Sequence, residues 1–469
     1  MSSSLGMREE IAAAFTRRTS FPAVSLILVT VIGLFLLATT ELGLCQQAPG
    51  TEDETIDAKT QLMIIDSITT VLDSFYVFPA KAKEMDRLAH SQYRKGAYKD
   101  ITSKAAFAER LSTDLFAVCN DKHFGIRYLP PQSRPAPQQD TLSQEEKEAE
   151  LARLRRENYY FRRLERLDGN VGYVDFRQFV DASLAGATAV AAMNFLSNCD
   201  AIIFDLRENG GGEPSMIQLL LSYFFDEPKH INSFYVRSSD SIEQFWTQGY
   251  VLGKKMPDIP LYVLTSSYTF SGAEEFTYNL KNMKRATIIG ETTGGGAHPT
   301  FERFFPTLSV EMRVPYGRAI NPITGTNWEG VGVQPDIAVP KEKALTTAHL
   351  EALKTLLDRA KDGQTRAVLS WAIDGLKAEL EPVTVDIALL RKYAGRYGPR
   401  AITLEDGVLF YQREGRPKYR MSPVSIDTFS LDGLDYFRVK FVTSSGGSVS
   451  EVVGLYSDGR SDVSPRTAD

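Results

Sequence analysis

Cysteine, tryptophan and histidine are scarce in this chain: three, three and five residues among 469. So few cysteines (Cys45, Cys119 and Cys199) exclude a fold that rests on a disulfide framework. No CxxC or HExxH occurs, and His90, His123, His230, His298 and His349 are scattered. Metal-ligand spacing is therefore absent, and neither a metal nor a cofactor is expected. Charge of one sign is missing too: 53 Lys and Arg stand against 59 Asp and Glu, a net of −6, which leaves no electrostatic footprint for nucleic acid. The most basic stretch, residues 153–166, is interleaved with glutamates and reads as a solvated helix face. What remains is an ordinary globular composition, 43% hydrophobic and 24% charged, with length for roughly two to four domains.

One long uncharged run does occur. Arg8, Arg17 and Arg18 precede residues 21–40, which are long enough to cross a bilayer and also suit the apolar region of a signal peptide. Residues 1–45 therefore read as a signal peptide or membrane anchor. The protein is expected to be periplasmic, elsewhere in the cell envelope or secreted, with residues 21–40 as its means of membrane association. Residues 42–45 loosely match a lipobox ending in Cys45, although Leu44 is bulky for the position before the cysteine.

Residues 46–59 form a polar tether, and 60–130 carry apolar side chains at helical spacing (Ile64, Ile65, Ile68, Leu72, then Phe107, Leu111, Leu115), which predicts a small helical domain. Residues 131–168 comprise a proline-marked linker and a charged segment, 143–166, expected to be helical throughout. Strand-like and helical patterns alternate over 169–345, as in an α/β domain with a largely parallel sheet, whose functional loops gather at the carboxyl ends of strands. Residues 346–384 form a helical connection. From 385 to 469 short strand-like runs alternate with turns at Asp406-Gly407, Asp432-Gly433 and Asp458-Gly459, which predicts a small antiparallel barrel.

Two loops at strand ends draw attention. An apolar run over 261–264 leads through Thr269 and Phe270 into a helical pattern (Ala273, Phe276, Leu280), so Ser271 opens a helix with Gly272 and Ala273 beside it. A hydroxyl there has small neighbours that let a substrate approach and free amides that can stabilise an oxyanion. Taken singly, Ser271 is more simply an N-cap. The second loop, Asn209-Gly210-Gly211-Gly212, follows the strand-like residues 201–206; alone it is a plain turn. The glycines 294–296 lack the lysine and hydroxyl of a phosphate loop.

Asp121-Lys122-His123, residues 205–212, residues 269–275 and Gly290-Glu291-Thr292-Thr293-Gly294-Gly295-Gly296, in this order, resemble the tail-specific, or C-terminal-processing, serine peptidase family S41. The resemblance covers about residues 60–340 and is to the branch of the tricorn core and the interphotoreceptor retinoid-binding protein. It implies a core related to ClpP and crotonase, an envelope or secreted location, and cleavage of peptides or unfolded proteins. Matched position by position, Ser271 takes the nucleophile's place, His123 the general base's, and Glu329 that of the acid orienting the base. Gly272 with Gly210 or Gly211 takes the place of the oxyanion-hole donors. A serine needs such a base because its hydroxyl is protonated at neutral pH.

The chain departs from the family in three places. Glycine stands where the serine–lysine branch has its lysine, Lys122 stands where tricorn-type sites have a serine, and residues 130–168 are too few for a PDZ domain. His298, just after the glycine loop, is the alternative base, and Glu274, Glu275 and Glu291 are alternatives to Glu329. The competing reading is a non-catalytic carrier of apolar ligands on the same scaffold. A third is a surface interaction module built on the terminal barrel. Residues 390–398, with Asp406-Gly407 and Phe429, resemble the lipocalin-like barrel appended to many secreted hydrolases.

Overall fold

A computed structural model describes residues 53–134, 143–445 and 447–467. The expected targeting segment over 1–45, the apolar run 21–40 and Cys45 lie outside the described residues. No helix among the described residues is long and apolar enough to cross a membrane.

Three helices come first, Ala58–Phe75, Pro79–Arg94 and Lys104–Cys119. Asp57 accepts the Thr60 N–H, Ser103 accepts the Ala106 N–H, and Pro79 occupies the first turn of its helix, where no N–H is needed. Their apolar stripes (Ile64, Ile65, Ile68, Leu72, Phe107, Leu111, Leu115) meet Val310, Met312 and Val314 in one core. The helical region is thereby fused to a three-stranded antiparallel sheet in which Val310–Pro315 lies between Gly125–Tyr128 and Thr300–Phe305.

The charged helix stops at Arg156, contrary to the expectation that it runs to 166. Phe161–Leu167 is a strand instead, paired antiparallel with Val171–Phe176 across a turn in which Gly169 and Asn170 have positive φ. Phe161 fills a core position, and cross-strand pairing overrides the helical character of the surrounding charges.

That strand is the antiparallel edge of a six-stranded sheet whose other members, Val171–Phe176, Ala201–Asp205, Leu261–Thr265, Thr287–Gly290 and Ile337–Ala338, are parallel. The three central strands are buried along their whole length, as continuous apolar runs with helices on both faces should be. Ala182–Leu196, Pro214–Leu221 and Gly272–Asn282 cover one face. Lys341–Arg359 and Gly363–Leu380 cover the other, so residues 346–384 contribute to the core rather than merely linking it to the barrel. A further small sheet places His230–Val236 between Gly317–Ile320 and Ser241–Trp246.

Eight antiparallel strands from Gly395–Tyr397 to Ser461–Pro465 follow, each paired with the next, and a bridge between Tyr397 and Arg466 nearly closes them into a barrel. Side chains fill its interior: Tyr393 stacks on Phe441 with centroids 3.9 Å apart, and buried Arg400 pairs with Asp462. Arg438 lies over the Trp371 ring at 3.8 Å and donates to the Trp371 carbonyl at 2.9 Å, joining barrel to helix Gly363–Leu380. Cys119 and Cys199 are both free.

Candidate active site

Strand Leu261–Thr265 delivers the chain to a sharp turn, and helix Gly272–Asn282 carries it away. At the apex Ser271 has φ 52° and ψ −119°, a conformation that residues with a Cβ rarely adopt and that costs on the order of 1–3 kcal/mol. Glu274, fully buried, holds the turn. Its Oε2 accepts the Ser271 N–H at 2.9 Å and the Gly296 N–H at 2.8 Å, while Oε1 accepts the Gly295 N–H at 2.6 Å and the Thr293 hydroxyl. Burial raises the Glu274 pKa even though these donors favour the carboxylate.

The Asn209–Gly212 loop lies directly against this turn. A Cβ on Gly211, where φ is +106°, would sit 2.8 Å from Ser271 Cβ and 2.7 Å from Gly272 N, and one on Gly272 would sit 2.7 Å from Gly212 O. Only glycine permits that approach. Asn209 braces the loop: its Nδ2 donates to Phe176 O and its Oδ1 accepts the Gly211 N–H, both at 2.8 Å. The Gly211 N–H is thus engaged within the loop. Gly210 has open space beside it, with the Tyr268 hydroxyl 3.9 Å from where a Cβ would stand.

His123 comes from the N-terminal helical region. Helix Lys104–Cys119 ends at Asn120 in the left-handed conformation, φ 50°, which turns the chain abruptly into Asp121 and His123. Asp121 Oδ1 accepts the His123 N–H at 3.0 Å. The imidazole lies against Phe270, the neighbour of Ser271, with ring centroids 4.7 Å apart, and its Cε1 would be 2.7 Å from a Cβ on Gly296. Burial holds the His123 pKa down at about 4.

Glu329 completes the group. Buried Trp328 donates from Nε1 to Gly296 O at 2.8 Å, and Glu329 Oε2 accepts the Ala297 N–H at 2.6 Å. One ring nitrogen of His123 and one oxygen each of Asp121 and Glu329 lie within 4.8 Å of one another. Burial pushes the Glu329 pKa up. His298 sits in the same cluster, its Nδ1 2.7 Å from Asp121 Oδ2 and 3.6 Å from Glu329 Oε2. Lys122 Nζ donates to Gly294 O.

Ser271, Gly272, Gly211 and Glu274 therefore form one contact set, and His123, Glu329, His298 and Asp121 another. Phe270 and Gly296 join the two sets. Glu291 is elsewhere, accepting the Ser267 and Lys341 N–H groups at 3.2 Å, and Glu275 is buried with Oε1 lacking a hydrogen-bond partner among the described residues. Sequence reasoning gave no role to Asp121, although an aspartate two residues before a histidine is placed to accept its N–H.

Two family models match this chain. Residues 170–339 match the model described as "Peptidase family S41", and residues 57–158 match "N-terminal domain of Peptidase_S41 in eukaryotic IRBP". The chain belongs to peptidase family S41. It is a serine-type peptidase, and its family acts on peptides or proteins. Solved structures similar to this S41 chain include the photosystem II D1 C-terminal processing protease, at 16% identity and TM-score 0.41, covering 60% of this chain and 94% of that one. A putative peptidase from Parabacteroides merdae ATCC 43184 matches at 19% identity and TM-score 0.45, over 66% of this chain and 100% of that one. Mature CPAF matches at 13% and 0.46, over 68% and 98%.

Proposed function

We propose that this S41 peptidase is an exported endopeptidase that cleaves peptides or unfolded proteins with a Ser271–His123–Glu329 relay. Ser271 Oγ attacks the scissile carbonyl, His123 takes its proton and later passes it to the leaving amine, and Glu329 orients His123 and stabilises the imidazolium. The Gly272 and Gly210 amides receive the oxyanion, the Gly211 amide being held by Asn209. A histidine kept neutral by burial can act as a base in mildly acidic as well as neutral surroundings.

The observation that carries this reading is the pair of buried atoms His123 Nδ1 and Glu329 Oε1, each without a hydrogen-bond partner among the described residues. They belong to a base and an acid already within one cluster, and catalytic hydrogen bonds in substrate-free sites are often long, closing when substrate binds. His123 lies against Phe270, the neighbour of Ser271, whereas His298 lies against Phe78, which favours His123 as the base. The composition of residues 1–45 supports export and membrane association, and a cell-envelope or secreted location is part of this proposal.

The test is hydrolysis of an unfolded protein by the full chain, with products read by mass spectrometry beside Ser271→Ala and His123→Ala. Loss of cleavage in both folded variants supports the relay; equal cleavage by Ser271→Ala overturns it. The match of residues 57–158 to a domain described in IRBP supports the second reading, an apolar-ligand carrier. That reading gains if the parent cuts nothing and a fluorescent apolar ligand binds equally to parent and Ser271→Ala.

A further inference from the structure

The cluster around His123 also brings together the atoms that a transition metal selects. One imidazole nitrogen and two carboxylate oxygens, from His123, Asp121 and Glu329, lie within 4.8 Å of one another, and His123 and Asp121 are only 7% and 1% exposed. His123 Nδ1 and Glu329 Oε1 are buried and unpartnered among the described residues, and each such orphan costs roughly 1–3 kcal/mol. A cation held by these side chains would give such orphaned lone pairs a partner.

Both Asp121 oxygens and one Glu329 oxygen have partners that hold the carboxylates still, and each carboxylate oxygen keeps a second lone pair. Asp121 Oδ2 faces His298 Nδ1 at 2.7 Å and accepts from Tyr76 Oη at 3.4 Å, and Asp121 Oδ1 accepts the His123 N–H. Glu329 Oε2 accepts the Ala297 N–H. Outer partners of this kind orient metal ligands and tune their affinity. A cavity of about 200 Å³ adjoins His123; its two carboxylates, Glu302 and Glu311, are paired with Arg313 and Arg127, so the ligands of the cluster itself, not the approach, must hold a cation.

We propose that this cluster is an inhibitory zinc site, in which one Zn²⁺ held by His123, Asp121 and Glu329, with water in the fourth position, occupies the groups that hydrolysis needs. Three protein ligands of nitrogen and oxygen type suit tetrahedral zinc, whereas magnesium and calcium prefer all-oxygen shells. The donors need only draw together to reach bonding distance. The sequence hides the site because its ligands come from positions 121, 123 and 329, with no local spacing to betray them. Inhibition rests on the proposed relay; binding does not.

The experiment titrates ZnCl₂ into the untagged full-length chain carrying Ser271→Ala, by calorimetry, and into the same chain with Asp121→Asn or Glu329→Gln added, folding being checked by circular dichroism. Hydrolysis by the parent is followed over the same zinc range, with MgCl₂ as control and EDTA to reverse. One zinc per Ser271→Ala chain is expected, with affinity at least about ten-fold weaker in each added variant and about ten-fold weaker in His298→Gln. Hydrolysis should fall with the same midpoint and recover with EDTA. Absence of one-to-one binding, binding unchanged in both added variants, or hydrolysis indifferent to bound zinc overturns the proposal. If the added variants do not fold, cobalt(II) replaces zinc: visible bands in Ser271→Ala that zinc abolishes support the site, and their absence overturns it. A parent that hydrolyses nothing sinks the relay reading, while calorimetry still decides the metal site.

Discussion

Glu274 accepts the Ser271 N–H at 2.9 Å through the same oxygen that takes the Gly296 N–H at 2.8 Å. One buried carboxylate thus sets the strained turn of the serine and the glycine loop beside His123 in a single frame. Glu274→Gln keeps the shape but turns an amide toward amide donors. Thermal unfolding should show a loss of about 2 kcal/mol. Steady-state kinetics should show kcat at least about ten-fold lower with KM changed less, as for loss of an interaction made mainly in the transition state.

Ser271→Ala removes the attacking oxygen and little else. Its kcat should fall roughly 10⁴- to 10⁶-fold, the range expected when one member of a catalytic unit is deleted. Its melting temperature should stay within a few degrees of the parent's; a large drop would assign Ser271 a structural role instead.

Neighbouring glycines should respond differently to a methyl group. Gly211→Ala drives a Cβ to 2.8 Å from Ser271 Cβ at a φ of +106°, so it should lose at least about 2 kcal/mol of stability. Gly210→Ala meets nothing nearer than the Tyr268 hydroxyl at 3.9 Å and should unfold like the parent. Equal melting of the two variants would contradict the close approach of loop and turn.

Acid should weaken the fold through His123. Its pKa is about 4 in the folded chain, below the ordinary 6.5, so between those values the unfolded chain binds the proton first. The corresponding stability is present above pH 6.5 and is lost as pH falls toward 4, by at most about 3 kcal/mol. Urea unfolding at pH 7, 5.5 and 4.5 should reveal this slope in the parent and a shallower one in His123→Asn.

Glu275 works in the opposite direction. Complete burial raises its pKa from 4.5 to about 7, so its contribution is full below pH 4.5 and is lost as pH rises through 7. Glu275→Gln should therefore unfold like the parent at pH 4.5 and be more stable at pH 8, by up to about 3 kcal/mol. A gain that is the same at both pH values would rule out the titration.

Local features of the site were legible in the sequence. The apolar strand, small residues and helical spacing around Ser271 lie within one short stretch, and so do the glycines beside Asn209. Turns such as Asp406-Gly407, with φ 47° and 81°, marked the barrel for the same reason. Contacts between distant segments were not legible. Glu274 looks from its i+3 spacing like a carboxylate complementing a helix dipole, yet it binds N–H groups 21 and 22 residues away. The Asp121–His298 contact joins positions 177 apart, beyond any periodicity. Phe161–Leu167 misled because charges that suit a helix surface also suit an exposed edge strand, and pairing with Val171–Phe176 decided between them.

Asn120 turns the chain out of the third helix, so His123 is carried by the N-terminal helical region while Ser271 stands on the central sheet's own helix. Under the proposed relay, a growing polypeptide holds His123 and Ser271 before it has made Val310–Pro315, which completes the core of the helical region, and before it has made Glu329. Destructive capacity arises only when the two halves dock, which spares the nascent chain, and its neighbours during synthesis, from premature digestion.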